Sequence, residues 1–175
     1  MKNVIKNIHI IISCSLFLMM KVLYTQTSSD DLIFLLYPTD QLVCILKGSH
    51  SSYIPNSGYF HIDLNILIEK SCAGFNFFIL FFLISYITCL KHISHSNRRW
   101  SLLPICLLIS YLLTIAVNAS RIITAIALKS KFNFIEISSS HQIQGTFIYL
   151  FFLLLFYSIL KYYLNKRVLK NEKFA

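Results

Sequence analysis

The sequence predicts an all-α polytopic membrane protein, with about four transmembrane helices plus an interfacial helix and a short β-hairpin on the outer face. Three observations carry this. Hydrophobic residues make up 56% of the 175-residue chain and charged residues only 13%, far from the balance of a soluble domain. The apolar residues are gathered into long blocks. Gly (4) and Pro (3) are scarce, which favours helices over a β-barrel as the way to satisfy the backbone in lipid. Residues 1–175 read as a single membrane domain, without internal repeats or low-complexity segments.

The first span is expected at 8–23, after the basic flank of Lys2 and Lys6. A basic start and an apolar middle also describe a signal peptide, but no small-x-small cleavage site follows and the run is long, so an uncleaved span is the better reading. Residues 24–71 form the longest polar stretch, the outer region. Within it, Leu32 to Leu46 is apolar but broken by Pro38, Thr39, Asp40 and Gln41. A crossing there would strand Asp40 and interrupt hydrogen bonding at Pro38. An amphipathic helix at the outer interface, starting near Pro38 and Thr39, fits better; composition leaves open whether residues 31–47 enter the membrane. A Pro55-Asn-Ser-Gly58 turn follows. Then Phe60, Ile62, Leu64, Ile66 and Ile68 alternate with more polar residues, so a hairpin should lead into Cys72. Spans are expected at 75–90, 101–117 and 146–163, each near the usual crossing length.

The charge of +9 is distributed as membrane orientation requires, not as a nucleic-acid surface. Two basic residues precede the first span, three (Lys91, Arg98, Arg99) lie in the second inner segment, and five (Lys161, Lys166, Arg167, Lys170, Lys173) follow the last span. Asp30, Asp31, Asp40, Asp63, Glu69 and Glu136 fall on the opposite, outward side. No nucleic-acid partner is expected; lipid is.

Five cysteines (14, 44, 72, 89 and 106) form no CxxC and no metal-like spacing with the six histidines, so no metal and no cofactor is expected. Cys14, Cys89 and Cys106 lie inside apolar runs and read as small buried hydrophobes. Cys44 and Cys72 fall on the outer side, and spacing leaves open whether they form a disulfide.

Three polar residues stand out because each ends an apolar run on that same outer side. Cys72, in Glu69-Lys-Ser-Cys-Ala-Gly-Phe-Asn76, lies where a helix begins, and the amides there favour the reactive anionic sulfur. Gly74 would let another backbone, such as a substrate strand, approach closely. Arg121, in Asn118-Ala-Ser-Arg121, sits within apolar neighbours, where a permanent cation calls for an anionic partner. Asn118 is three residues away, on the same helical face. His141, in a Ser/Gln-rich segment before the last span, can exchange protons near neutrality. His61 is an outward competitor. Taken singly, a buried structural cysteine, an interfacial Arg and a solvated His are the blander readings.

Taken in order, Cys72-Ala-Gly74 at the start of a span, Asn118-Ala-Ser-Arg121 at the end of the next, and His141 before the last resemble the exosortase/archaeosortase family. Tyr37-Pro-Thr and the hairpin before the cysteine are also similar, and the likeness covers roughly residues 30–160. The small size is most like the short exosortase K type. The resemblance implies a cysteine protease-transpeptidase in the bacterial cytoplasmic membrane, multi-pass, with its active site facing outward. Its substrates would be secreted proteins ending in a short motif, a transmembrane helix and a basic tail. By matching residue, Cys72 would be the nucleophile, Arg121 the transition-state stabiliser and His141 the acid/base, with Gly74 and Asn118 supporting them. Two other readings stay open from the residues themselves. One is a thiol-disulfide redox protein cycling Cys44 and Cys72; the other is a non-catalytic complex subunit whose Arg121 pairs with an acidic partner helix.

Overall fold

A computed structural model describes residues 2–92, 96–132 and 138–172, with side chains for 8–91, 101–128 and 145–166. The described residues form five helices, α1 (Lys2–Gln26), α2 (Ile33–Lys47), α3 (Phe75–His92), α4 (Ser96–Phe132) and α5 (Ser138–Glu172). A sheet of three short strands, β1 (Ser51–Ile54), β2 (Gly58–His61) and β3 (Ile66–Ile68), lies between α2 and α3 in the chain. Segments apolar and long enough to cross a membrane are Ile8–Gln26, Lys70–Lys91, Ser101–Leu128 and Gly145–Lys166. Four candidate spans and a fifth, shorter helix are therefore what forms.

The helix α3 is central, packing against α1, α4 and α5. Its aromatic residues explain why. Phe77 and Phe81 stack on each other (5.9 Å) and meet Val117 of α4 with Ile148, Tyr149, Phe152 and Phe156 of α5. On the other side Phe75 stacks on Tyr24 of α1 at 4.9 Å, and Lys21 donates to Asn76 Oδ1 at 2.6 Å. That bond satisfies a cation in the C-terminal part of an otherwise apolar helix. Apolar side chains such as Leu18 and Val22 of α1, and Phe147 and Phe151 of α5, stay exposed, as lipid-facing positions should.

Lengths decide where the polar residues of α4 end up. The 18 residues of α3 rise about 27 Å, near the hydrocarbon thickness, whereas the 37 residues of α4 rise about 55 Å. The end of α4 carrying Asn118 and Arg121 therefore continues past the start of α3 and stands beside the segment around Cys72.

The helix α2 begins at Ile33, five residues before Pro38, which corrects the expected start near Pro38 and Thr39. The reason lies in local hydrogen bonding. Ser28 N–H and Oγ donate to Asp31 Oδ2 (2.7 and 2.9 Å), and Asp31 N–H donates back to Ser28 Oγ (3.4 Å), a capping box that starts the turn leading into α2. These bonds hold the Asp31 carboxyl below the usual carboxylate range. Pro38, now inside the helix, has no N–H for the Phe34 carbonyl; the Tyr111 hydroxyl of α4 donates to that carbonyl instead, at 2.9 Å. Gly48 ends α2 in the left-handed conformation (φ +63°), its N–H returning to the Cys44 carbonyl.

The strands are antiparallel in the order β1-β2-β3, with Ser51 opposite His61 and Tyr59 opposite Ile68. The expected hairpin around Pro55–Gly58 is present. The expected unbroken alternation from Phe60 to Ile68 is not, because the chain turns over residues 62–65 and β3 folds back on β2. Asn65 takes φ +48° there, and its N–H donates to the Ile62 carbonyl at 3.3 Å. Asp and Asn tolerate such turns, and they outweighed the period-2 pattern. Beneath the sheet, Leu32, Leu35, Leu36 and Val43 pack with Tyr59, Ile68, Ala73, Phe75 and Cys72 itself.

Candidate active site

The strap carrying the cysteine is pinned before it reaches α3. Lys70 N–H donates to Ser29 Oγ (3.1 Å) and its ammonium to the Thr27 carbonyl (2.6 Å), lying 4.9 Å over the Tyr24 ring. A single 3₁₀ turn, Lys70–Cys72, follows, with Cys72 N–H on the Glu69 carbonyl at 2.7 Å. Gly74 (φ +69°) then reverses the chain, and its carbonyl accepts from Phe78 N–H at 3.0 Å to open α3. A side chain at Gly74 would meet Thr114 Cγ2 at 3.1 Å and Asn118 Cγ at 3.2 Å. Side chains of α4 thus make a close approach at this glycine. Cys72 is buried, its sulfur 3.7 Å from Ser71 Oγ.

Asn118 is fully buried and its Nδ2 donates to the Cys72 carbonyl. One turn on, Arg121 is 7% exposed. Its Nη1 donates to the Ser71 carbonyl (3.3 Å) and to the Tyr149 hydroxyl (2.9 Å). The Tyr149 hydroxyl in turn donates a hydrogen bond to Asn118 Oδ1 at 2.7 Å, and its ring centre lies 5.1 Å from the guanidinium carbon. Cys72, Asn118, Tyr149, Arg121 and Ser71 therefore form one closed circuit joining the 3₁₀ turn before α3 to α4 and α5. Gly145, one turn before Tyr149, makes room for the cation. A Cβ there would stand 2.9 Å from Arg121 Cζ and 3.1 Å from Nη2, and closer still to Nε.

The electrostatics of Arg121 are unusual. A buried guanidinium ordinarily has a carboxylate beside it. Among the described residues Arg121 has none, and its Nε has no hydrogen-bond partner. The anionic partner that the sequence calls for is not built into the described part of the protein.

The sequence-predicted residues divide accordingly. Cys72, Gly74, Asn118 and Arg121 come together. His141 falls within α5, where a Ser/Gln-rich loop was expected, and its side chain lies outside the described residues. Tyr149 was missed, since it read as one more aromatic in an apolar span. The available signal was spacing: His141, Gly145 and Tyr149 recur every four residues, the repeat of one helical face.

His61, the outward competitor, lies elsewhere. It is fully buried, with Nε2 2.8 Å from Asp40 Oδ1 and Nδ1 2.9 Å from Ser49 Oγ. Cys44 joins that second cluster, 3.9 Å from Asp40 Oδ2 and 3.6 Å from Ser51 Oγ. Cys44 and Cys72 are both free thiols.

A profile of the family described as transmembrane exosortase matches residues 49–158, more than half of the chain. The chain belongs to this exosortase family. No curated protein and no solved structure matches it. The matched stretch contains Cys72, Asn118, Arg121, His141 and Tyr149, so the family likeness rests on the region that builds the circuit. It concerns the family as a whole and carries no subtype.

Proposed function

We propose that this exosortase is a membrane-embedded cysteine protease-transpeptidase that cleaves the C-terminal sorting signals of secreted proteins at the outer face of the bacterial cytoplasmic membrane. The observation that carries the reading is Arg121, a buried cation without a carboxylate among the described residues, tied to the backbone carbonyl of the residue before Cys72. Such an arrangement suits an anion that exists only during reaction.

In this mechanism the Cys72 thiolate attacks the scissile carbonyl, and the developing oxyanion is held by Arg121. The C–N bond then breaks, leaving a thioester on Cys72. His141 supplies the proton that departs with the amine. An acceptor amine or water gives that proton back to His141 as it attacks the thioester, and sulfur leaves as the thiolate. Asn118 and Tyr149 hold the backbone and the cation in place. The substrate's membrane helix would lie beside the spans, with its basic tail on the inner side.

The test is processing of a secreted protein bearing a C-terminal motif, membrane helix and basic tail, co-expressed with the full chain. Cys72→Ala should stop cleavage while leaving the protein folded. Wild-type cleavage by that variant would remove the nucleophile and with it the mechanism. The redox reading has less support, because Cys44 and Cys72 sit in separate hydrogen-bond networks.

A further inference from the structure

The second buried cluster has no task in that chemistry, and its donor set is specific. Asp40 and Cys44 lie one turn apart on α2, and His61 comes from β2. One oxygen, one sulfur and one nitrogen donor from them all lie within 4.8 Å of one another. We propose that Asp40, Cys44 and His61 bind a single zinc-class divalent cation, which clips the interfacial helix α2 to the outer sheet.

Four features support this. The first is separation. A tetrahedral zinc with bonds of about 2.0–2.3 Å sets its donors about 3.3–3.6 Å apart. The contacts of 2.8 Å (His61 Nε2 to Asp40 Oδ1) and 3.9 Å (Cys44 Sγ to Asp40 Oδ2) fall on either side of that spacing, and with all three donors within 4.8 Å of one another, side-chain rotation has to close the set by up to about 1.2 Å around the ion. The second is charge. Asp40 is fully buried, and its hydrogen-bonding neighbours, Ser51, Gln41, Cys44 and His61, include no fixed cation. A dication would balance one carboxylate and one thiolate. The third is His61 itself, whose far ring nitrogen is held by Ser49 Oγ at 2.9 Å. Metal-bound imidazoles characteristically have such a partner, which orients the other nitrogen toward the ion. The fourth is access. Cys44 and Ser51 are only partly buried, giving the ion a route in, and Ser51 Oγ or water can complete the coordination. A mixed N, O and S set selects zinc-like ions over magnesium or calcium.

The proposal is independent of the activity proposed above, and so is its test. The full chain, without a polyhistidine tag, is purified in detergent, dialysed against a chelator and titrated with Co²⁺. One cobalt should bind per chain, giving tetrahedral d–d bands and a thiolate-to-cobalt band, both removed by Zn²⁺. Cys44→Ser should abolish the thiolate band although four other cysteines remain. Ser49→Ala should weaken binding about 10–100-fold. Because buried substitutions risk misfolding, maleimide labelling of Cys44 in the unmutated protein is mapped in parallel, and zinc should slow it. Absence of saturable cobalt binding, a thiolate band that survives Cys44→Ser, or labelling unaffected by zinc would overturn the proposal. The cluster would then be a hydrogen-bonded lock only.

Discussion

Replacing Gly145 by Ala separates the geometry of Arg121 from the stability of the fold. An added Cβ would sit 2.9 Å from Arg121 Cζ and closer still to Nε, whereas ordinary contact needs about 3.5–4.0 Å, so the guanidinium must retreat by about 1 Å or more. Its bond to the Ser71 carbonyl is already 3.3 Å long, at the weak end of the range, and would be lost first. Misplacement of about 1 Å typically costs on the order of 10²-fold in rate, and cleavage should fall by about that much. Stability should move little, because Ala in a helix interior gains about 0.5–1 kcal/mol over Gly and offsets part of the clash. The assay measures substrate cleavage and thermal melting for both proteins. A double-mutant cycle sharpens it. In an Arg121→Lys background the slimmer side chain leaves space for the methyl group, so Gly145→Ala should have nearly no further effect. Unchanged cleavage by Gly145→Ala, or an equal loss in both backgrounds, would refute the claim that Gly145 exists to seat the guanidinium.

Arg121→Lys keeps the charge but loses the planar guanidinium, whose Nη1 serves both Ser71 and Tyr149 and whose other donors are left for an oxyanion, and should lower cleavage by about 10²–10³-fold in a single-turnover assay. Tyr149→Phe preserves the ring beneath the cation while leaving Asn118 Oδ1 and Arg121 Nη1 each short of a partner; a stability loss of about 1–3 kcal/mol is expected on denaturation, with reduced cleavage. The depressed Asp31 carboxyl binds its proton more weakly folded than unfolded. It therefore stabilises the outer turn above about pH 4 and loses that contribution as pH falls through its lower folded value. Asp31→Asn should flatten this acid slope, read by amide exchange across residues 28–33.

Much of the architecture was legible because lipid imposes a simple code. Block length located all four candidate spans. Cys72, Asn118 and Arg121 were legible because a polar residue among apolar neighbours is costly enough to mark itself. Three features were not. The start of α2 was misplaced because Pro38 reads as a helix start, and only Tyr111, 77 residues from Phe34, reveals how the freed carbonyl is satisfied. The third strand was hidden because alternation across Ile62–Asn65 looks continuous until Asn65 turns it back. Tyr149 escaped because a phenol among phenylalanines carries no mark of its own, and its function depends on two residues from another helix. The Asp40–His61 pair was invisible for the same reason, its members 21 positions apart.

The circuit around Cys72 also limits which groups can handle protons. Tyr149 accepts from Arg121 and donates its only proton to Asn118. Asn118 is spent on that hydroxyl and on the Cys72 carbonyl. The guanidinium of Arg121 offers donors only, with no acceptor. Each of these is fixed in one hydrogen-bonding role, which suits positioning and excludes shuttling. In the proposed mechanism the proton for the leaving amine comes from outside the circuit, on an element docked against it. The helix α5 is that element, since it brings Gly145 and Tyr149 to Arg121. His141 precedes Gly145 by one turn at the same four-residue interval, and of the residue types at that end of α5 it is the one that titrates near neutrality. In the proposed mechanism His141 therefore takes the proton-transfer role that the resemblance implies, a role the occupied hydrogen bonds of the circuit leave free.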